Sequence, residues 1–165
     1  MKIVDCIDTD KECLFMKTKK KKKVFVEGPI SPEFIANSIA KHQTKTTIGA
    51  HDIFLGQVRA DIIDDKTVAY IDYSTYQEMA ESQLDIIREA TFEKFDLTCM
   101  HIYHSLGKVA AGEICLFVFV SAKRRKVVFD AITHIVEAIK KDVPIFGKEV
   151  FEEEGHVWKE NHFEE

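Results

Sequence analysis

Ile114-Cys115-Leu116-Phe117-Val118-Phe119-Val120 is the most hydrophobic stretch of the chain, entered from Gly112 and left through Ser121-Ala122-Lys123-Arg124. A short apolar run rich in β-branched and aromatic residues, bounded by glycine and charge, reads as a central strand buried on both faces. Downstream, Val128, Ala131, Ile132, Ile135 and Ile139 recur at three- and four-residue steps, which predicts a helix from about Arg124 to Lys140. Pro144 cannot continue that helix and pushes Val143 toward extended geometry, so the chain turns there. Two short extended pieces follow, around Ile145 to Phe151 and His156 to Lys159, joined through Glu152-Glu153-Glu154-Gly155.

Upstream, Val24-Phe25-Val26-Glu27-Gly28 reads as a strand, and Ser31 then caps a helix with Pro32 at its first position. Phe34, Ile35, Ile39 and Ala40 supply that helix's apolar face. Gly49 to Arg59 is strand-like, Asp64-Asp65 offers a hairpin turn, and Thr67 to Tyr73 is the return strand. Tyr76, Met79, Ala80, Leu84, Ile87 and Thr91 mark a further helix, and Leu97 to Tyr103 another strand. About three helices interleave with strands without the regular alternation of a doubly wound sheet. The expected fold is therefore α+β, with a mixed, mainly antiparallel sheet in a single domain over residues 24–165.

Residues 1–23 form a lysine-rich extension that carries the run Lys17-Thr18-Lys19-Lys20-Lys21-Lys22-Lys23. No aromatic residues interleave with these lysines, so a solvated, flexible arm is a better reading than a nucleic-acid contact. A short strand or hairpin is expected around Ile3, Val4, Cys13, Leu14 and Phe15. The extension carries eight Lys and four Asp/Glu, or +4, whereas residues 24–165 carry 15 Lys/Arg and 24 Asp/Glu, or −9. An acidic body argues against nucleic acid as its ligand, and an anionic substrate would have to be met by a local basic cluster.

No apolar run approaches the roughly 18 residues of a membrane span, and the N-terminus lacks a signal-peptide layout, so a cytoplasmic protein is expected. Cys6, Cys13, Cys99 and Cys115 form no CxxC pair and show no zinc-ligand spacing. They are expected to be reduced structural thiols.

Four clusters could carry chemistry. Phe54-Leu55-Gly56-Gln57-Val58-Arg59 ends a strand with an arginine just after a glycine; the arginine suits a phosphate or carboxylate, or is simply solvated at a strand edge. Ser121-Ala122-Lys123-Arg124-Arg125-Lys126 places four consecutive cations at a helix N-terminus, where they oppose the dipole; the cluster reads either as an anion site or as a solvated basic patch. His101 and His104, three apart in a strand, point to opposite faces and so do not share a metal; no metal centre or other cofactor is expected. Lys140, on the last turn before Pro144, and Lys148, on the extended segment after it, could bring two ammonium groups to one site. A lysine desolvated beside other cations can act as a base or nucleophile, which an arginine cannot easily do.

Taken together, these clusters resemble the large, catalytic subunit of molybdopterin synthase, the MoaE-type family. The matching elements are Phe54-x-Gly56-x-Val58-Arg59, Tyr76-x-x-Met79-Ala80, His104-x-x-Gly107 followed by Gly112-Glu113, and Ser121-Ala122-x-Arg124. They continue through Lys140-x-x-x-Pro144-Ile145-x-x-Lys148-Glu149 to Gly155-x-x-Trp158, in one order over roughly residues 24–160. The resemblance implies an α/β-hammerhead-like fold and a homodimer of large subunits. Each would receive the thiocarboxylated C-terminal tail of a small ubiquitin-like subunit, whose sulfur passes twice to cyclic pyranopterin monophosphate to form the molybdopterin dithiolene.

By the same resemblance Lys140 is the leading catalytic lysine, and Arg59 and Arg124 bind the substrate's phosphate or pterin. Gln57 and Val58 line the pocket, with Lys123, Gly147 and Glu149 also in the substrate site. The chain departs from the family pattern in three places. Lys123 stands for a usual histidine, and Ser105 for a frequent arginine. Gly147, preceded by Phe146 rather than tryptophan, stands where the second active-site lysine is usual. Lys148 could replace that amine as the second catalytic lysine if the strand shifts, since adjacent side chains on a strand face opposite ways, or Lys123 could supply the lost charge from across the site. The missing lysine also leaves open a second reading, a binding module for the ubiquitin-like tail or an anion without turnover.

Overall fold

The computed structural model describes residues 23–159. The hairpin expected near the N-terminus and nearly all of the lysine-rich extension lie outside these residues. The described chain runs β1 (Phe25–Glu27), α1 (Pro32–His42), β2 (Ala50–Gln57), β3 (Ile62–Ile63), β4 (Lys66–Thr75), α2 (Gln77–Lys94) and β5 (Leu97–Ala110). It continues through β6 (Ile114–Ala122), α3 (Arg125–Asp142), β7 (Ile145–Phe151) and β8 (His156–Trp158). The strands form one sheet in the order β2-β6-β5-β4-β7-β8, with β1 added parallel to β5 and β3 antiparallel to β4. This is the α+β architecture with a mixed, mainly antiparallel sheet and three helices.

β6 is the strand that organises the fold. Leu116, Val118, Val120 and Ala122 face the larger core, shared with Leu84 and Ile87 of α2 and with Val128, Ile135 and Ile139 of α3. Phe117 and Phe119, fully buried, face the other way and pack with Ile30 and with Ile35 of α1. Two-sided burial explains why this strand reads as an unbroken apolar run, whereas the half-exposed strands alternate.

β5 binds the two halves of the sheet together. Its first part pairs with β6, from Leu97 opposite Ala122 to His104 opposite Leu116, and its last part pairs with β4, from Gly107 opposite Tyr73 to Ala110 opposite Tyr70. Gly107 has φ +73° where the strand changes partner, a conformation that costs glycine little and other residues more.

The local chemistry follows the sequence. The Ser31 hydroxyl accepts from the Phe34 N–H at 3.2 Å, with Pro32 opening α1. Asp64 and Asp65 take φ of 48° and 62°, the geometry of a two-residue hairpin turn between β3 and β4. Three residues assigned to apolar faces are instead exposed. Tyr76 precedes α2 at its N-cap position, Met79 lies in its first turn, and Ala40 is on the outer side of α1. Periodicity found both helices, and the exposed residues lie in or beside their terminal turns. Among the described residues no helix is long and apolar enough to cross a membrane.

Candidate functional site

A cavity of about 900 Å³ opens where the end of β2, the C-terminal turn of α3 and the start of β7 converge. Phe54 to Arg59 form one wall, Lys140 and Val143 another, and Ile145, Gly147 and Lys159 a third. The strand after Pro144 is what closes it: the α3 cap ends at Val143, whose N–H bonds the Ile139 carbonyl, and Thr75 Oγ1 donates to the Pro144 carbonyl at 2.7 Å. The helix therefore delivers Lys140 from its last turn, where the negative end of the dipole favours an ammonium.

Of the residues expected in the site, Gln57, Val58, Arg59, Lys140 and Gly147 line this one cavity. Arg59 is on its exposed rim, held by Asp61 at 2.9 Å. Val58 is buried, and its backbone is already engaged, donating to the Glu113 carbonyl and accepting from the Gly112 N–H. It shapes the wall rather than offering a donor.

Lys148 is not part of the lining. It sits in β7 between Gly147 and Glu149, opposite Asp72 on one side and Trp158 on the other. Adjacent side chains on a strand leave opposite faces, and Gly147 and Glu149 have the cavity face. Lys123 and Arg124 are exposed at the N-terminal end of α3. Sixteen residues of helical rise separate Arg124 from Lys140, about 24 Å, so one chain cannot bring both to one small molecule.

The ammonium that does enter the cavity with Lys140 belongs to Lys159, just beyond β8. Its backbone N–H donates to the Gly147 carbonyl at 2.8 Å, and its side chain runs through the space beside that glycine. A Cβ on Gly147 would stand 3.6 Å from Lys159 Cβ, 3.0 Å from Ile71 Cγ2 and 3.4 Å from Tyr73 Cε1. Lys159 Nζ then donates to Glu149 Oε1 at 2.8 Å. Glu149 is 5% exposed, so its carboxylate needs this partner; its place is behind the amine rather than on the cavity surface. No motif around Lys159 singles it out in the sequence, because the turn through Gly155 brings it back across twelve residues.

The floor is a set of buried, mutually adjusted groups. His104 donates from Nδ1 to the Ser105 carbonyl at 2.8 Å, and burial pushes its pKa down to about 4, only partly countered by that bond. It is a neutral imidazole with Nε2 as acceptor, packed edge-on to Tyr73 at 5.0 Å. Burial, with the nearby Cys115 and Glu149, drives the Tyr73 hydroxyl far above its ordinary range. Burial also raises the Cys115 thiol, against the pull of Tyr73, Lys159 and Lys140. Cys115 Sγ lies 3.4 Å from the Gly56 carbonyl, so at neutral pH it is a protonated thiol rather than a nucleophile. Cys115, Lys140 and Lys159 line the same cavity.

The arrangement is a basic pocket with an uncharged floor, suited to an anionic substrate and to negative charge that develops during reaction. The comparisons with known proteins agree with it. The family model described as MoaE protein matches residues 26–142. The molybdopterin synthase catalytic subunit of Pyrococcus abyssi is 36% identical over 126 residues, covering 76% of this chain and 83% of the relative. That of Emericella nidulans is 34% identical over 121 residues; the match takes in 73% of this chain but only 62% of the longer fungal protein.

Among solved structures, molybdopterin synthase from Staphylococcus aureus superposes with a TM-score of 0.72 at 29% identity, covering 84% of this chain and 97% of that one. A complex of subunits 1 and 2 of the molybdopterin-converting factor from Helicobacter pylori has a TM-score of 0.69 at 16% identity, covering 82% and 88%, and shares the fold. With the cavity, the sheet order and these matches in agreement, the chain belongs to the MoaE protein family.

Proposed function

We propose that this chain is the catalytic subunit of a cytoplasmic molybdopterin synthase, an enzyme of molybdenum cofactor biosynthesis. It takes sulfur from the thiocarboxylated C-terminus of a small ubiquitin-like partner and adds it to cyclic pyranopterin monophosphate. The observation that carries the reading is that Lys140 and Lys159 converge on one cavity with Arg59 at its rim.

In each of two transfers the tail's sulfur forms a bond to a substrate carbon, displacing the ring phosphate oxygen in one and an oxygen lost as water in the other, and water then cleaves the acyl–sulfur bond to leave a carboxylate. Negative charge develops on the departing phosphate oxygen of the opened ring and on the oxyanion formed as water attacks the acyl carbon. Lys140 and Lys159 stabilise it without a metal, and Arg59 holds the phosphate. Glu149 keeps the Lys159 amine aimed.

A homodimer gives Lys123 and Arg124 a place in this scheme. They lie too far along α3 to serve their own chain's Lys140, so they serve the cavity of the partner subunit, where their exposed charge meets the same anionic substrate. The alternative of a binding module without turnover rested on the glycine at 147. Lys159 in the adjoining space removes that reason.

The test is reconstitution from the full chain, a thiocarboxylated small subunit and the cyclic substrate, with product followed as its fluorescent oxidised form. Product formation supports the proposal; tail binding with no product above background refutes it.

A further inference from the structure

On the opposite face of the sheet from the catalytic cavity, α1 and β5 bring together His42, Cys99 and His101. We propose that these three side chains bind a divalent transition-metal cation of the zinc class. Their ligand atoms all lie within 4.8 Å of one another, and the two Nε2 atoms of His42 and His101 are 3.0 Å apart. Zinc takes imidazole nitrogen at about 2.0–2.1 Å and thiolate sulfur at about 2.3 Å, so tetrahedral ligands stand roughly 3.3–3.6 Å from each other. The observed set brackets that spacing and needs only side-chain adjustment.

The surroundings are those of a ligand set rather than of chance neighbours. His42 is 6% exposed and Cys99 7%. His42 donates from Nδ1 to the Ser38 carbonyl at 2.7 Å, which fixes the tautomer and leaves the Nε2 lone pair directed at His101. A backbone partner on the far ring nitrogen is the usual support of a metal-ligating histidine. Cys99 Sγ already accepts from a cation, the Lys45 ammonium at 2.6 Å.

A second, independent observation is Ser121. It is fully buried, and its Oγ has no hydrogen-bond partner. It stands directly across the ladder from Cys99, so its side chain is on the same face of the sheet. An orphaned buried hydroxyl costs stability unless something unrecorded satisfies it. A metal-bound water, or the metal's open fourth position, would do so. Two imidazoles and a thiolate favour zinc or a neighbouring borderline-soft ion over magnesium or calcium. Binding releases the Cys99 thiol proton, and the proton between the imidazoles shifts to His101 Nδ1. No local spacing announces this set, because His42 is 57 residues from Cys99 in the chain.

The test uses the full chain, stripped of metal under reducing conditions and titrated with Co²⁺. The expected result is saturation at one equivalent, with intense visible bands of a tetrahedral site, a sulfur-to-cobalt charge-transfer band, and displacement by Zn²⁺. Cys99→Ser should abolish the charge-transfer band. His101→Asn, at a half-buried position, should weaken binding by more than the roughly 10–100-fold that loss of an outer partner costs. Absence of these bands in the folded wild-type chain at stoichiometric cobalt overturns the proposal. So does a spectrum that survives Cys99→Ser and disappears when Cys6 and Cys13 are replaced by Ser.

Discussion

Lys159 Nζ lies 2.8 Å from Glu149 Oε1, joining a side chain that is one-third exposed to a carboxylate that is almost wholly buried. Removing the amine strands the carboxylate, and breaking a buried pair costs about 3–5 kcal/mol, reduced here because Lys159 is partly in water. Lys159→Ala should therefore lower stability by about 1–3 kcal/mol, and Glu149→Gln by less. The double variant should recover part of the loss. Urea unfolding of the four proteins measures the coupling; strictly additive losses would remove Glu149 as the anchor of this amine.

The separation of Arg124 and Lys140 along α3 leads to a test of the site's composition. If each cavity takes Arg124 from the partner subunit, Arg124→Ala and Lys140→Ala proteins are each nearly inactive alone. Mixed after reversible dissociation, they form hybrid dimers with one complete site. Activity should reappear on mixing, toward about half of wild type per hybrid dimer. No recovery in verified hybrids would mean that Arg124 has no role across the interface.

His104 sets a pH dependence. Its pKa is near 4 in the folded chain and 6.5 for an unperturbed imidazole. As pH falls below about 6.5 the unfolded chain takes up a proton that the folded chain refuses. Stability is lost from about pH 6.5 down to about pH 4, where the folded state also protonates. The gap corresponds to roughly 3 kcal/mol. Chemical denaturation at pH 7 and pH 4.5 should show a loss in wild type that is reduced by about that amount in His104→Gln.

Gly147 and Lys159 compete for one space. Gly147→Ala introduces a Cβ 3.0 Å from Ile71 Cγ2, tight enough to force a shift, and should cost about 1–3 kcal/mol. A lysine at 147 should be tolerated better in a Lys159→Ala background than in the wild type. Thermal melts of the two single variants and the double variant give the comparison.

Most of the fold was legible because single residues carried it. The two-sided apolar run at 114–120, the Ser31-Pro32 cap, the Asp64-Asp65 turn and the stop at Pro144 each have one strong physical reading, and the structure places an element or a boundary at each. The cavity was legible where its residues are contiguous, from Gln57 to Arg59 and at Lys140. Lys159 was not, because its position depends on how β8 returns beside β7. Strand alternation already set Lys148 on the face opposite Gly147; only a shift of the strand would have brought it round, and the pairing of Gly147 with Tyr73 and of Lys148 with Asp72 is regular.

The most direct measurement compares sulfur transfer by Lys140→Ala, Lys159→Ala and Lys148→Ala in the reconstituted system, under single-turnover conditions with the tail complex verified for each. The account predicts that Lys140→Ala and Lys159→Ala each slow product formation by about 10²–10³-fold, the scale of losing one electrostatic stabiliser, while Lys148→Ala stays within a few-fold of wild type. A severe loss in Lys148→Ala with near-normal transfer by Lys159→Ala would contradict it.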